Sequence, residues 1–564
     1  MTESTGDQGA QASPEVHRYD VLVVGGTVGG VAAALAAARL GCRTLLVERG
    51  SHVGGMTASG LGSIDTTRVN AFGGIFREFI DRVRQTYVSR YGPDSEQYRL
   101  TYGGFFMEPH VAEATLWDML EAEPLLTCWR DVELDSAELD GQRVVGARFH
   151  RRLTGESLSV RATVSVDTTY EGDLAAAAGV PYRVGREGRS EFGERYAGVI
   201  YYDWRPHRQE VHPSSTGEPS DVIQANCFRL TVTDDPAVRL PFWRPDTYAD
   251  HLPLYRALAG DGLSGRIRFL TEILWLNRLA NRKYCVNGHI EALSSIDLAE
   301  PARRWPEAGW AERDRLFRTY VDYTVGLFHF LQNDPSIPRI MREEARCFGL
   351  APDEYPDSGG MPWQLYVRQG RRIEGVSKLV ESDSIPVPGR ARPDIHRDAI
   401  ATYEHSFDSH ACRDRLEPGA IVRTDDGFEL IEGVIWFRNK NHLVSPNRPA
   451  TIPYGAIVPR EHDGLLVPMA LSATNVAYSS IRMEPVWMSV GQAAGVAAAI
   501  AVEQGVQPRH VPIDQLQSTL VERHQVLVYF DDLQLEDDDF ADIQRLAVRD
   551  GAPSFSAADL RAQR

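Results

Sequence analysis

Residues 25–30 read G-G-T-V-G-G, and they stand where a short apolar run ends and an alanine-rich run begins. Residues 19–24 (Y-D-V-L-V-V) have the unbroken apolarity of a strand buried on both faces. Residues 31–40 are rich in alanine with no helix breaker, and residues 43–48 (R-T-L-L-V-E) repeat the strand signal. Strand, glycine turn, helix and strand in that order make a β-α-β unit of about thirty residues. In its dinucleotide-binding form, G-x-G-x-x-G, the first glycine makes the tight turn and the second lets the backbone approach a pyrophosphate. The third lets the helix pack on the strand.

Gly25 and Gly30 fill the first and third places, while Thr27 stands at the second. Gly26, Val28 and Gly29 complete the turn, and amides at the helix N-terminus would face a diphosphate. Glu48, about twenty residues on, is placed to accept hydrogen bonds from ribose hydroxyls. Arg49 follows, and then Gly54, Gly55 and Met56. A second glycine pair so close behind the ribose acid suits a loop running along the diphosphate and ribityl chain of FAD. An NAD enzyme has no need of it.

A chain of 564 residues predicts at least two lobes. The net charge of −18 argues against nucleic acid, which requires a concentrated basic face. The six cysteines are scattered with no C-x-x-C, so no disulfide framework, zinc site or iron–sulfur cluster is expected, and a reducing cytoplasm is the expected compartment. Residues 1–17 are polar, lack a signal-peptide core and read as a flexible tail. Two greasy stretches, 21–40 and 486–502, are full of Gly and Ala and read as close-packed interior elements, not membrane spans.

The fold class expected is α/β: a Rossmann-like FAD-binding domain, with a parallel sheet and a β-meander, plus an inserted mixed α+β substrate lobe. Residues 18–204 form its first part and 451–528 its C-terminal part. Residues 110–121 have helical spacing, and 143–149 with 157–166 read as strands of the meander around Asp140-Gly141. Residues 205–450, rich in arginine and aromatics, make the substrate lobe. Residues 457–467 return to strand-like runs, and 485–502 form a long helix of small residues with Pro485 in its first turn. Residues 529–564 read as an acidic tail segment, solvated and without EF-hand spacing.

With G-G-T-x-x-G followed by E-R-x-x-x-x-G-G-M, the chain resembles the FAD-dependent oxidoreductases distantly related to fumarate reductase flavoproteins. That family also carries Thr at the second glycine position. F-M-E-P-H-V-A-E (106–113) is similar to its F-E-P-H-V-A-E, and D-T-T-Y-E-G-D-L (167–174) to its D-A-T-Y-E-G-D-L. R-Q-G-R-R-I-E-G (368–375), S-A-T-N-V-A-Y-S-S-I-R-M-E-P (472–485) and G-Q-A-A-G-V-A-A (491–498) continue the likeness. It implies that Asp167 returns the chain to the cofactor beside the adenosine half and that Val132 contacts adenine through its backbone. It also implies that Gln492 and Gly495 belong to a C-terminal flavin segment whose helix amides would face the flavin pyrimidine.

Three groups are candidates for chemistry. Arg368, Arg371 and Arg372 make an arginine fork suited to a carboxylate or a developing anion, against the alternative of salt bridges tying the lobes together. His410, in F-D-S-H with Asp408, is a candidate proton acceptor while hydride leaves for the flavin. Lys283 and Asn287, in N-R-K-Y-C-V-N-G, read as structural. His52 precedes Gly54-Gly55 without the spacing of a covalent flavin histidine, so non-covalent FAD is expected. The function expected is an oxidase or dehydrogenase acting on a small polar metabolite, passing electrons to oxygen or another small acceptor. A flavin-dependent reductase of an activated alkene, a monooxygenase and a non-enzymatic flavin scaffold are the alternatives. No metal, nucleic-acid or membrane partner is expected.

Overall fold

The computed structural model describes residues 16–66, 68–437 and 448–562. Its largest sheet has seven strands. Strands β1 (Val16–Val24), β2 (Thr44–Val47), β3 (Leu126–Trp129), β4 (Val132–Asp140), β5 (Arg143–Arg151) and β6 (Ser157–Asp167) lie in the order β3-β2-β1-β6-β5-β4. From β3 to β6 the pairing is parallel, and from β6 to β4 it is an antiparallel meander. The first half of β6 pairs with β5, and near its C-terminal end Ser165 and Val166 pair with the short strand Leu465–Leu466. This sheet is the parallel core expected of a Rossmann-like domain, and its C-terminal strand arrives from nearly three hundred residues downstream.

β1 begins at Val16, so the last two residues read as tail are strand, while residues 1–15 lie outside the described residues. Helix α1 (Val28–Arg39) is buried along its whole length except at Arg39. Its alanines allow the close approach of the helix Glu484–Gln504. A Cβ on Gly491 would lie 2.2 Å from the Gly29 carbonyl oxygen, and one on Gly495 2.2 Å from that of Ala33. The Glu484–Gln504 helix is long and apolar enough to cross a membrane, yet 94% of its most apolar window is buried inside the protein.

The middle of the chain builds a second, antiparallel sheet in the order Leu274–Arg278, Lys283–Gly288, Leu230–Thr233, Gly349–Leu350. Two long helices, Tyr248–Leu263 and Trp310–Asn333, pack on each other beside it. Lys283 is buried among Glu108 (2.8 Å), Asp353 (2.6 Å) and Glu354 (2.6 Å), an ion-paired knot between segments. The stretch read as an acidic tail is structured. Its helix Phe540–Asp550 buries Phe540, Ile543, Ala547 and Val548, and Gln544 caps the Leu527 and Val528 amides. Asp537 and Asp539 pair with Arg561, so spacing alone mistook a folded acidic surface for a tail.

Candidate active site

Where β1 ends, the chain must turn sharply beneath the start of α1, and each glycine can be tested by what a side chain would meet. Gly25 has φ +106°, and a Cβ there would sit 2.8 Å from the Thr168 backbone. At Gly30 a Cβ would lie 1.9 Å from the Gly25 carbonyl oxygen. Thr27 instead caps α1: its Oγ1 accepts from the Gly30 amide (3.2 Å) and donates to the Thr168 carbonyl (2.8 Å). The first and third glycines are sterically obligatory here, and the second place is taken by a capping hydroxyl. Val28 and Gly29 form the first turn of α1, where helix amides have no partner within the helix.

The D-T-T segment at the end of β6 clamps this turn from the other side. Thr168 Oγ1 donates to the Gly25 carbonyl (2.7 Å). Asp167 Oδ2 accepts from the Ala175 amide (2.8 Å), while its Oδ1 accepts from Thr169 Oγ1 (2.7 Å). Burial pushes the Asp167 carboxyl up to about 6 against these hydrogen bonds. Glu48 is likewise held by backbone amides, Oε2 by Gly26 and Oε1 by Gly50, both at 2.6 Å. Its burial raises its pKa, and the two amide bonds work to lower it.

A cavity of about 490 Å³ opens beside these groups. Gly25, Thr27, Glu48, Arg49 and Val132 line one wall, and Trp305, Trp310 and Trp363 are among the residues that close it. Arg49 reaches Glu133 (2.8 Å) and Asp314 (3.0 Å) and stacks 3.9 Å over the Trp310 ring. His52 bonds Glu113 (2.8 Å) through Nδ1 and Asp357 (2.7 Å) through Nε2, and stacks on Trp363. Hydrogen bonding to Glu113, opposed by burial and helped by Asp357, lifts the His52 pKa to about 9.

The second glycine pair docks on the first: the Gly54 amide donates to the Gly26 carbonyl (2.6 Å). Gly54 and Gly55 have φ of +99° and +51°, and a Cβ on Gly55 would lie 2.5 Å from Tyr170 Oη. Met56 donates its amide to that same phenol oxygen (3.0 Å), which donates in turn to Glu484 Oε1 (3.2 Å). Thr57 Oγ1 donates to Glu484 Oε2 (2.8 Å). Burial pushes the Glu484 carboxyl up to about 7. Three distant motifs, G-G-M-T, D-T-T-Y and R-M-E-P, thus meet through Tyr170 and Glu484. Sequence reasoning named neither residue, although both stand inside matched motifs.

Other expected site residues, His410 among them, lie outside the lining of the 490 Å³ cavity. Gln492 accepts the Ile75 amide (2.7 Å) and faces a separate cavity bordered by Arg39, Arg77 and His524. Gly495 lies at the helix–helix contact with Ala33. Arg371 is tied to the Glu171 carbonyl (3.0 Å) and Asp173 (2.9 Å). Arg372 is tied to Glu187 (2.8 Å) and to the Gly185 and Ala473 carbonyls. Neither arginine borders the 490 Å³ cavity. The alternative of lobe-tying salt bridges describes both. Arg368 pairs with Asp297 (2.9 Å), whose other oxygen meets His410 Nδ1 (2.8 Å). Burial, reinforced by Arg368 and opposed by Asp297 and Asp408, lowers the His410 pKa.

A family model described as FAD dependent oxidoreductase matches residues 20–520. Among solved structures, the chain is similar to a geranylgeranyl bacteriochlorophyll reductase-like protein from Thermoplasma acidophilum. The identity is 14% over 97% of this chain and 91% of that one, with a TM-score of 0.31. It is also similar to Mycobacterium smegmatis Sdh1 (17% identity, 31% of this chain and 42% of that one, TM-score 0.21). A third likeness is to the 3-ketosteroid-delta4-(5alpha)-dehydrogenase from Rhodococcus jostii RHA1 (17%, 30% and 51%, TM-score 0.20). The chain spans about half or less of the length of these last two proteins. With the family model covering most of its length, this chain belongs to the FAD-dependent oxidoreductase family.

Proposed function

We propose that this chain is an oxidase or dehydrogenase that takes two electrons from a small polar metabolite onto non-covalently held FAD. The observation that carries the reading is the cavity of about 490 Å³ whose wall joins the glycine turn and Glu48 to Gln364 and Leu365 of the middle lobe. Its size falls within the range of ordinary cofactor and ligand sites. The residues present fit FAD: a glycine turn closed to any side chain, a helix N-terminus beside it whose Val28 and Gly29 amides have no partner within the helix, and an aromatic lining.

In this reading Gly25, Gly26, Thr27, Val28, Gly29 and Gly30 receive the diphosphate, and Glu48 and Val132 receive the adenosine. Glu48 meets ribose hydroxyls while keeping its amide bonds. Arg49 holds the Trp310–Asn333 helix over the cavity, and Asp167 with Thr168 keeps the turn in shape. Gly54, Gly55 and Met56 border the ribityl chain. Bound FAD would supply the two-electron chemistry. His410, which like Arg371 and Arg372 lies outside the lining of that cavity, is the proton acceptor we favour, because Asp297 holds its Nδ1 and burial with Arg368 lowers its pKa. Arg371 and Arg372 serve as ties, through Asp173 and Glu187. Six unpaired cysteines suit a reducing cytoplasm.

The test is anaerobic mixing of the FAD-loaded protein with panels of small metabolites, activated alkenes, NADH and NADPH, followed at the flavin absorption band. Bleaching by a polar metabolite, reversed by oxygen, is the result expected. Rapid stoichiometric bleaching by a nicotinamide would move the protein to the monooxygenase or reductase class. Reoxidation of the reduced flavin by an alkene would make it an alkene reductase.

A further inference from the structure

Immediately beyond Gln364 and Leu365 stands Tyr366, and three buried guanidiniums gather around it. Arg482 donates to Tyr366 Oη (2.8 Å), and Arg368 lies 4.7 Å from the ring centroid. Arg229 lies within electrostatic reach of the same phenol. Three carboxylates stand near them, one to each, but at unequal distances. Asp297 serves Arg368 at 2.9 Å and shares its other oxygen with His410. Asp408 stands 3.6 Å from both Arg482 and His410. Among the described residues Arg229 has only Asp65, at 4.0 Å, and the Asp65 side chain is 46% exposed.

The closest partners of the Arg229 guanidinium are neutral: Cys285 Sγ at 3.3 Å and Ser63 Oγ at 3.5 Å. The Nε atoms of Arg229 and Arg482 have no hydrogen-bond partner among the described residues. Both arginines are nearly sealed from solvent, at 2% and 4% exposure. A buried guanidinium held 3.6–4.0 Å from its carboxylate, with its Nε unpaired, is disfavoured unless the fold holds it for a ligand. The fold does hold it: a Cβ on Gly60 would lie 1.9 Å from the Arg229 carbonyl oxygen, so the loop after Gly54-Gly55-Met56 presses directly on this strand. Arg482 precedes by two residues Glu484, which is tied to Thr57 and Tyr170.

We propose that Arg229 and Arg482, both near Tyr366, bind a carboxylate of the substrate. This rests on the flavin oxidoreductase reading and adds the substrate class, a small carboxylic acid. A planar guanidinium pair matches a planar carboxylate in donor geometry, and the Tyr366 hydroxyl proton offers a third donor. The proposed path of entry is past Asp65, the exposed end of the cluster.

The test uses the FAD-loaded full chain and the spectral perturbation of its flavin. Acetate, benzoate and succinate are titrated beside their neutral amides and beside inorganic phosphate. At least one carboxylate should saturate where its amide does not. Arg229→Gln should weaken that binding about 10- to 150-fold with FAD content unchanged, and Arg229→Lys should recover part of it. Should Arg229→Gln not fold, Arg482→Gln is read in the same way, and the carboxylate–amide contrast in the unaltered protein stands by itself. Equal responses to acids and amides, tighter binding of phosphate than of every carboxylate, or unchanged affinity in both glutamine variants would overturn the proposal. A metabolite that bleaches the flavin but bears no carboxylate would also overturn it while leaving the oxidoreductase reading intact. A protein that takes up no FAD would remove that reading itself.

Discussion

Gly495→Ala should destabilise the protein and loosen its cofactor, although alanine is the better helix former. A Cβ at this position would lie 2.2 Å from the Ala33 carbonyl oxygen, against an ordinary contact of about 3.5 Å. The obstacle is backbone inside a buried helix, so no rotamer relieves it and the two helices must part by about 1 Å. Overpacking of a core costs about 1–3 kcal/mol, and a rigid backbone obstacle places this site near the upper end. The helix-propensity gain of about 1 kcal/mol offsets part of that and leaves a net loss of about 2 kcal/mol. For a chain of this size, with an unfolding entropy of about 2.1 cal/mol/K per residue, the melting temperature should fall by roughly 2 °C. Because Gly29 and Ala33 belong to α1, the shift reaches the glycine turn, and FAD affinity should fall with stability. The assay is differential scanning fluorimetry with and without FAD, alongside FAD titration by fluorescence quenching. Gly260→Ala is the control: it lies in the helix Tyr248–Leu263 with nothing within 4 Å of its Cβ, so the same exchange should stabilise by up to about 1 kcal/mol. A Gly495→Ala protein as stable as the control, with unchanged FAD affinity, would refute the close-packing argument.

His52 gains its proton affinity on folding, from the ordinary value of 6.5 to about 9, so its contribution to stability is complete below pH 6.5 and is lost as the pH rises through 9. Subtracting the melting-temperature profile of His52→Gln from that of the unaltered protein should expose this loss between pH 6.5 and 9; parallel profiles would dismiss it. Arg372→Met strands the buried Glu187 carboxylate and should cost about 3–5 kcal/mol in urea unfolding. A loss below 1 kcal/mol would contradict its role as a tie. His410→Gln should keep FAD and slow flavin reduction by substrate about a hundredfold, and an unchanged stopped-flow rate would return the residue to structure.

The glycine turn was legible because its constraints are local. Gly30 is demanded by the Gly25 carbonyl one turn away and Gly25 by its own φ of +106°, and the apolar runs beside them can form only a buried strand and a close-packed helix. The meander strands and the helix around residues 110–121 were read within a few residues for the same reason. What spacing could not convey was direction. Gln492 and Gly495 lie in a matched motif, but a helix buried on all sides shows no polar face to say which residues look toward a cofactor. Arg371 and Arg372 looked like an anion fork until Asp173 and Glu187, nearly two hundred residues away, were seen to occupy them. The acidic run after Tyr529 hid a helix because Phe540, Ile543, Ala547 and Val548 are spaced among the charges.

Acid precipitation of the purified protein tests most directly that this chain holds FAD without a covalent bond in the cavity beside Gly25–Gly30. Yellow protein should release close to one equivalent of intact FAD per chain into the supernatant, and Gly30→Trp, whose side chain would enter space already filled by the Gly25 carbonyl, should purify without it. Flavin retained in the pellet would contradict non-covalent binding. A colourless protein that takes up no FAD, or full flavin occupancy in Gly30→Trp, would contradict the assignment of the site.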